Sequence, residues 1–311
     1  MKKINKCPIC NNDNFLKKIS CKDYTVSNEI FKIVSCETCG FRFTNPRPKD
    51  KEIGEYYKYS QYISHTNNSS GLFNKLYHLV RAFSTGRKVS LLKRITKKGT
   101  HLDIGCGTGE FLNACKKSGF ITAGIEPSQM ARNQAINNFG LRVSEKTDLL
   151  EYETSEFDSV SMWHVLEHVS DLNKTISSIN RVLNDEGKLI IAVPNYKSWD
   201  ANYYKEYWAA WDVPIHFWHF SKITIEKLFN QHKLKLIKTK PMLFDSFYVS
   251  ILSEEFKYGK KNFIKGALIG FISNVLGYIT KKGHSSIIYI FEKNSDLKQS
   301  KGIYSNTDLQ H

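Results

Sequence analysis

The sequence lacks an apolar run of the length that a membrane-spanning helix needs, which argues against a helical integral membrane protein. Its start, MKKINKCPIC, is basic, but no apolar core follows, so no secretory signal is read there and the cytoplasm is the expected location. Acids are scarce beside bases: 30 Asp and Glu face 45 Lys and Arg, a formal net charge of +15. That excess admits a nucleic-acid partner. The basic residues are mostly Lys scattered along the chain, however, which reads as a compositional habit and not as a binding stripe. No internal repeat is present, and that argues against a solenoid. Cysteine is limited to seven residues, four of them in two CxxC pairs. Without an export signal, such pairs point to metal binding and away from disulfides.

Residues 1–48 read as one unit, a zinc ribbon. Cys7-x-x-Cys10 and Cys36-x-x-Cys39 bracket short β-like runs, among them IFKIVSC. Each pair can turn two thiolates toward one ion, and two pairs complete a tetrahedral sulfur site. Cys7, Cys10, Cys36 and Cys39 are therefore the expected ligands of one structural zinc. Without metal, a segment this short would lack a core of its own. Cys21 falls outside the pairs, as a packed or surface thiol.

Residues 49–98 read as a helical connector. It comprises a short helix over 49–58, a polar linker over 62–71 and a helix over 72–95 that packs on the domain behind it. From 99 to about 293, strands and helices alternate. THLDIG, ITAGIE, LRVSE, FDSVSMW, GKLIIAVP, LKLIKTK and SSIIYIFEK are the expected strands, with helices over 109–118, 128–138, 171–183 and 222–232. The alternation predicts an α/β domain on a parallel sheet covered on both faces. A helical insertion is expected near 244–283. Within it, residues 262–280 set Ile264, Leu268, Phe271, Ile272, Val275 and Ile279 on one helical face, flanked by Lys260, Lys261, Lys281 and Lys282. Packing of that stripe on its own domain is favoured over peripheral membrane contact. Residues 294–311 read as a frayed polar tail.

HLDIGCGTGEF places Gly105, Gly107 and Gly109 within five positions, so the spacing is GxGxG where a dinucleotide fingerprint has GxGxxG. No Lys-Ser/Thr follows, which excludes a P-loop. Asp103 lies in the strand two residues before Gly105, where an acid disfavours a pyrophosphate and favours a cationic group. Glu126 ends the second strand, 21 residues after Gly105.

Taken together, HLDIGCGTGEF, GIEPS, TDLLEY and FDSVSMWHVLEHVSDL resemble the successive motifs of class I S-adenosylmethionine-dependent methyltransferases. The resemblance runs from residue 99 to about 293. It implies a Rossmann-like seven-stranded sheet, S-adenosylmethionine as cofactor, and methyl transfer as the activity. On that pattern Asp103 and the loop residues Gly105, Cys106, Gly107 and Gly109 face the methionine part, Glu126 chelates the ribose hydroxyls, and Asp148 and Leu149 border the adenine. The sulfonium and ammonium of the cofactor suit an acidic strand end. With its N-terminal ribbon the chain also resembles sugar C-methyltransferases and bacterial enzymes linked to surface-glycan biosynthesis. A small-molecule acceptor, such as a nucleotide-linked sugar or glycan precursor, is expected; RNA held by the ribbon and the basic surface is the alternative. The VLEHV segment resembles the quinone-biosynthesis methyltransferases.

His164, Glu167 and His168 follow the fourth strand, and His216 and His219 follow the fifth, at the strand ends where open α/β sheets bind ligands. If residues 164–168 are helical, His164 and His168 share a face. Three readings stay open. His164, His216 or His168 could be a general base. Glu167, His168 and a later histidine could hold a divalent metal, as does the acid–His pair of the small-RNA 2′-O-methyltransferases, which this segment resembles. Glu167 and His168 could simply cap a helix. The aromatic-rich stretch WDANYYKEYWAAWDVPIHFWHF fits either pocket lining or plain packing.

Overall fold

The structure, a computed structural model, describes residues 1–57, 72–97, 99–147, 149–280 and 282–294, with backbone alone over 72–79. The expected linker over 62–71, the tail after 294 and Asp148 lie outside the described residues.

The N-terminal segment is an antiparallel meander of β1 (Phe15–Lys22), β2 (Ile30–Cys36) and β3 (Arg42–Thr44). Its fourth strand comes from far along the chain: Arg42 and Phe43 pair with His219 and Trp218. Phe41 and Phe43 are fully buried, and Phe41 stacks on Trp218 with centroids 6.0 Å apart. Burying each ring contributes roughly 1.5–3 kcal/mol. Cys7, Ile9 and Cys36 share one apolar cluster with Val160, Met162 and Leu189 of the large sheet. The ribbon thus borrows its core from the rest of the chain. Asn173 Nδ2 donates to Pro8 O at 3.0 Å, and Gln231 Nε2 donates to Ile9 O, pinning the first CxxC turn from outside. A single 3-10 turn, Ile53–Tyr57, replaces the helix expected over 49–58; Gly54 inside it weakens helix propagation.

The remaining elements are α1 (Leu72–Ile95), β4 (Thr100–Ile104), α2 (Glu110–Lys117), β5 (Ile121–Ile125), α3 (Gln129–Phe139), β6 (Val143–Ser144), β7 (Phe157–Trp163), α4 (Leu172–Val182) and β8 (Leu183–Pro194). They continue with α5 (Trp199–Tyr204), β9 (Trp218–His219), α6 (Lys222–Gln231), β10 (Leu234–Pro241), α7 (Asp245–Tyr258), α8 (Phe263–Ile279) and β11 (Ser286–Lys293). Seven strands form one sheet in the order β10-β11-β8-β7-β4-β5-β6. This is the Rossmann-like seven-stranded sheet that the sequence resemblance implied. Along β8, Leu189, Ile191 and Val193 enter one apolar cluster while Ile190 and Ala192 enter another, so the sheet is covered on both faces. α1 packs there as expected, through Val89, Leu91 and Leu92 against Phe111 and Ile190.

Two expectations need correction. The sheet is not wholly parallel: β11 runs antiparallel to both β8 and β10. The α7–α8 hairpin returns the chain so that β11 slots between them, and an apolar run carries no sign of its direction. The second correction concerns α8. The stripe expected to pack inward faces out: Ile264 is 85% exposed and Ile279 74%. Gly266, Ile269, Gly270, Ser273 and Asn274 are the buried residues of this helix.

Candidate active site

The chain runs from β4 to β5 and β6 on one side, then crosses to β7 and β8 on the other. The carboxyl ends of β4 and β7 therefore border the crevice where sheets of this kind bind ligands. The glycine loop fills the exit of β4. Gly105, Gly107 and Gly109 have φ of 73°, 55° and 85°, a left-handed series that side chains resist. A Cβ on Gly105 would come within 2.4 Å of Val165, whereas one on Gly107 would meet nothing within 4 Å. Gly107 is thus the open point of the loop. Glu126 holds the loop from β5: its Oε2 accepts the Gly107 amide at 2.9 Å and its Oε1 the Ser128 amide at 2.8 Å. Cys106 is buried within the loop. Asp103 is buried one strand deeper and accepts from Ser161 Oγ at 2.5 Å. Burial pushes its carboxyl up to about 7, against the pull of Ser161 and Lys88. Leu149 is buried in the main core at φ 60°, its carbonyl accepting from Arg181 Nη2 at 2.6 Å.

Residues 164–168 do not make one helical turn. Only Leu166–His168 is helical, as a 3-10 turn, and His164 sits at φ 56°. His164 and His168 therefore leave the backbone in different settings. His164 lies between two carboxylates, Nδ1 at 3.2 Å from Glu167 Oε1 and Nε2 at 2.8 Å from Asp245 Oδ2. Burial works to lower its pKa, but Asp245 first and Glu167 second outweigh that and push it up to about 10. At neutral pH it is an imidazolium, which cannot accept a proton. His168 Nδ1 lies 3.0 Å from Ile215 O and 3.0 Å from Tyr57 Oη. His216 Nδ1 lies 3.0 Å from Ala210 O. Their rings meet edge to face at 4.6 Å. Burial first, then the neighbouring imidazole, lowers His168 to about 4. Burial likewise lowers His216. Each carbonyl takes a proton from Nδ1, so Nε2 keeps its lone pair. Glu167 Oε2 is buried without a hydrogen-bond partner. One ligand atom each from Glu167, His168 and His216 falls within 4.8 Å of the others.

A profile described as "Methyltransferase domain" matches residues 76–239. The chain belongs to this methyltransferase family. The Ubiquinone biosynthesis O-methyltransferase of Coxiella burnetii (strain Dugway 5J108-111) is 30% identical over 154 residues, 47% of this chain. The chain spans 63% of that curated relative's length. Among solved structures, a chain of the Haloferax volcanii complex between the Trm112 methyltransferase activator and a methyltransferase superposes with a TM-score of 0.50. It is 15% identical, and the match covers 68% of this chain and 90% of that one. A SAM-dependent methyltransferase from Archaeoglobus fulgidus gives a TM-score of 0.48 at 17% identity, covering 76% and 100%. At these identities the structural likeness speaks to the fold alone.

Sequence spacing missed several residues that the structure brings beside the candidate histidines. Asp245 and Tyr57 reach the histidines from α7 and from the connector. A cavity of about 430 Å³ opens beside Asp245, lined among others by Arg87, Lys88 and Arg94 of α1, by Lys240 and by Tyr278. Arg87 and Arg94, seven residues apart, fall on one face of α1, and Lys88 reaches the cavity from beside Arg87. Among the described residues no carboxylate forms an ion pair with Arg87, Arg94 or Lys240. Lys88 Nζ stands 4.3 Å over the Trp163 ring and feels Asp103 and Asp245. His219 turns the other way, its Nε2 3.1 Å from Thr44 Oγ1 of the ribbon. In the aromatic-rich stretch, Tyr204, Trp208, Trp211, Phe217, Trp218 and Phe220 are buried as packing, while Trp199, Tyr203 and Tyr207 are half-buried.

His164 gains its charge from folding, so its ion pairs stabilise the chain fully below the ordinary imidazole value of 6.5 and fade as pH rises through about 10. Urea midpoints should fall between pH 7 and pH 10 for this reason. Asp245→Asn should be less stable at pH 7 and show a shallower alkaline fall. With His164 32% exposed, solvent screening holds the difference to on the order of 1 kcal/mol. Identical pH profiles for the two proteins would refute the charged pair.

Proposed function

We propose that this methyltransferase moves the methyl group of S-adenosylmethionine to a hydroxyl of an anionic small molecule, such as a nucleotide-linked sugar or a phosphorylated glycan precursor. The observation that carries the reading is the Glu126 carboxylate, locked by two backbone amides beside the open Gly107 at the sheet's switch point. Each of its oxygens keeps a second lone pair, so it can accept both ribose hydroxyls without releasing the loop. Asp103 would face the cofactor's cationic end with the loop residues Gly105, Cys106, Gly107 and Gly109. Asp148 and Leu149 would border the adenine. Arg87, Arg94 and Lys240, which form no ion pair among the described residues, support an acceptor bearing phosphate. The buried aromatics disfavour the RNA alternative, since none of them is free to stack on bases.

Methyl transfer from a sulfonium needs alignment above all. A hydroxyl acceptor also needs somewhere to leave its proton. Among the three candidate histidines, His216 is the proposed base: its Nδ1 is held by Ala210 O and its Nε2 lies 3.7 Å from Asp212 Oδ2, a carboxylate that can steady the imidazolium, while His164 is held as a cation and positions Glu167. His168 backs His216 edge-on. The orphaned Glu167 Oε2 favours a second reading, in which Glu167, His168 and His216 hold a divalent cation. Such an ion, when bound, would acidify the hydroxyl.

The ribbon cysteines fit a structural zinc. Cys7 and Cys39 sulfurs lie 3.5 Å apart, and those of Cys10 and Cys36 3.4 Å apart. Four Zn–S bonds of about 2.3 Å would set tetrahedral sulfurs about 3.8 Å apart.

Three outcomes are expected. Calorimetry should show S-adenosylmethionine binding falling about a hundredfold in Glu126→Ala, since a charged acceptor with two partners is worth roughly 2–4 kcal/mol; unchanged affinity in the folded variant sinks the cofactor assignment. Protein purified without added metal should carry about one zinc by elemental analysis, the capacity of one sulfur site, and a metal-free chain with an ordered ribbon rejects it. His216→Ala should lose on the order of 10²–10⁴ in turnover at unchanged cofactor affinity. Activity that vanishes with chelator at constant zinc content and returns with Mg²⁺ or Mn²⁺ selects the divalent-cation reading instead.

A further inference from the structure

From residue 259 to residue 284 the sequence contains five lysines, Lys260, Lys261, Lys265, Lys281 and Lys282, and no aspartate or glutamate. α8 occupies the middle of that stretch. It rests on α7 through its small residues: a Cβ on Gly266 would lie 2.7 Å from Ile251 Cα, and one on Gly270 would lie 2.8 Å from Phe247 Cα. Ser273 Oγ donates to Asp200 Oδ1 at 2.7 Å, and Asn274 Nδ2 donates to Leu243 O at 2.8 Å. These contacts fix the helix's rotation, because turning it would drive a large side chain against the α7 backbone.

The opposite face is apolar and open. Ile264, Leu268, Phe271, Val275 and Ile279 fall in one row, 85%, 55%, 59%, 40% and 74% exposed. A contiguous exposed stripe of this size marks an interaction surface. Both of its ends are cationic. At the N-terminal end Lys260 and Lys261 are exposed, and Lys257 and Lys265 stand over the ring of Tyr258; Lys282 is exposed past the C-terminal end. Glu254 and Glu255 of α7 are taken up by Lys265 and Lys261. No helix among the described residues is long and apolar enough to cross a membrane.

We infer that α8 is an in-plane anchor that docks the protein on an anionic lipid bilayer. The apolar row enters the acyl boundary while the lysines at both ends meet lipid phosphates. A second copy of the chain fits this face worse, because parallel or antiparallel pairing of two such helices sets lysines against lysines. The inference stands apart from the acceptor reading, though the two meet in space: Tyr278 of α8 lines the cationic cavity.

The test is co-sedimentation of the full chain with phosphatidylcholine vesicles, with and without about 30% phosphatidylglycerol. The wild type should pellet with the anionic vesicles and be released by salt. The double variant Leu268→Ser/Phe271→Ser changes only exposed positions and should bind about tenfold or more weakly, by loss of apolar insertion. Lys260→Glu/Lys261→Glu should lose the preference for anionic lipid. Cofactor calorimetry and circular dichroism should be unchanged in both, which separates failure of docking from failure of the fold or of the methyltransferase reading. A folded wild type that ignores anionic vesicles overturns the inference. So does equal binding by the serine variant, or a dimer in sedimentation equilibrium that the serine variant abolishes.

Discussion

One buried threonine holds the two halves of the molecule together. The Thr44 amide donates to Phe217 O at 2.9 Å, its hydroxyl donates to His216 O at 2.8 Å, and the same oxygen meets His219 Nε2 at 3.1 Å. Thr44 ends β3, five residues past the last ribbon cysteine, and the segment it grips carries one of the candidate site's histidines. The position of His216 therefore depends on the ribbon being closed. This gives the ribbon a physical task at the site without requiring it to touch any substrate.

Electrostatics follow from that scaffold. Two carboxylates, Glu167 and Asp245, flank His164, and a lysine from α1 lies near Asp103 and Asp245. Charges of both signs are taken out of water here, and such groups are costly to bury unless each has a partner. Almost all of them do. Glu167 Oε2 is the exception, facing two imidazoles whose other nitrogens are occupied by carbonyls. An unsatisfied acceptor in that setting is where chemistry is to be sought.

Much of this was legible in the sequence, for reasons that can be named. The glycine loop was, because three left-handed residues in five positions leave few alternatives to glycine. The strands were, because the second half of β8 and most of β11 are buried and read as apolar runs. Direction was not, since the apolar runs of β8 and of the antiparallel β11 carry no mark of which way each strand runs. The outward stripe of α8 was misread because periodicity finds a face without saying which side the neighbour is on. The pair Gly266 and Gly270, four residues apart, was the available clue that the close contact lay opposite. Asp245 and the α1 cations were invisible: Asp245 meets His164 and the cations line the cavity beside it only after the sheet has assembled, and no local pattern encodes a contact across 81 residues.

The pairing of Phe43 with Trp218 also bears on how the protein is made. A nascent chain emerges from its N-terminus, so the open edge of β3 waits for a partner that follows about 175 residues later, roughly 10–35 s at ordinary elongation rates. An unpaired edge is a template for wrong associations. All four ribbon cysteines leave the ribosome before that wait begins, so the proposed zinc, once bound, would close the CxxC turns before the partner strand arrives. On this view the ribbon acts as a co-translational clasp, and cells short of metal should accumulate aggregated nascent chains before they accumulate inactive finished ones.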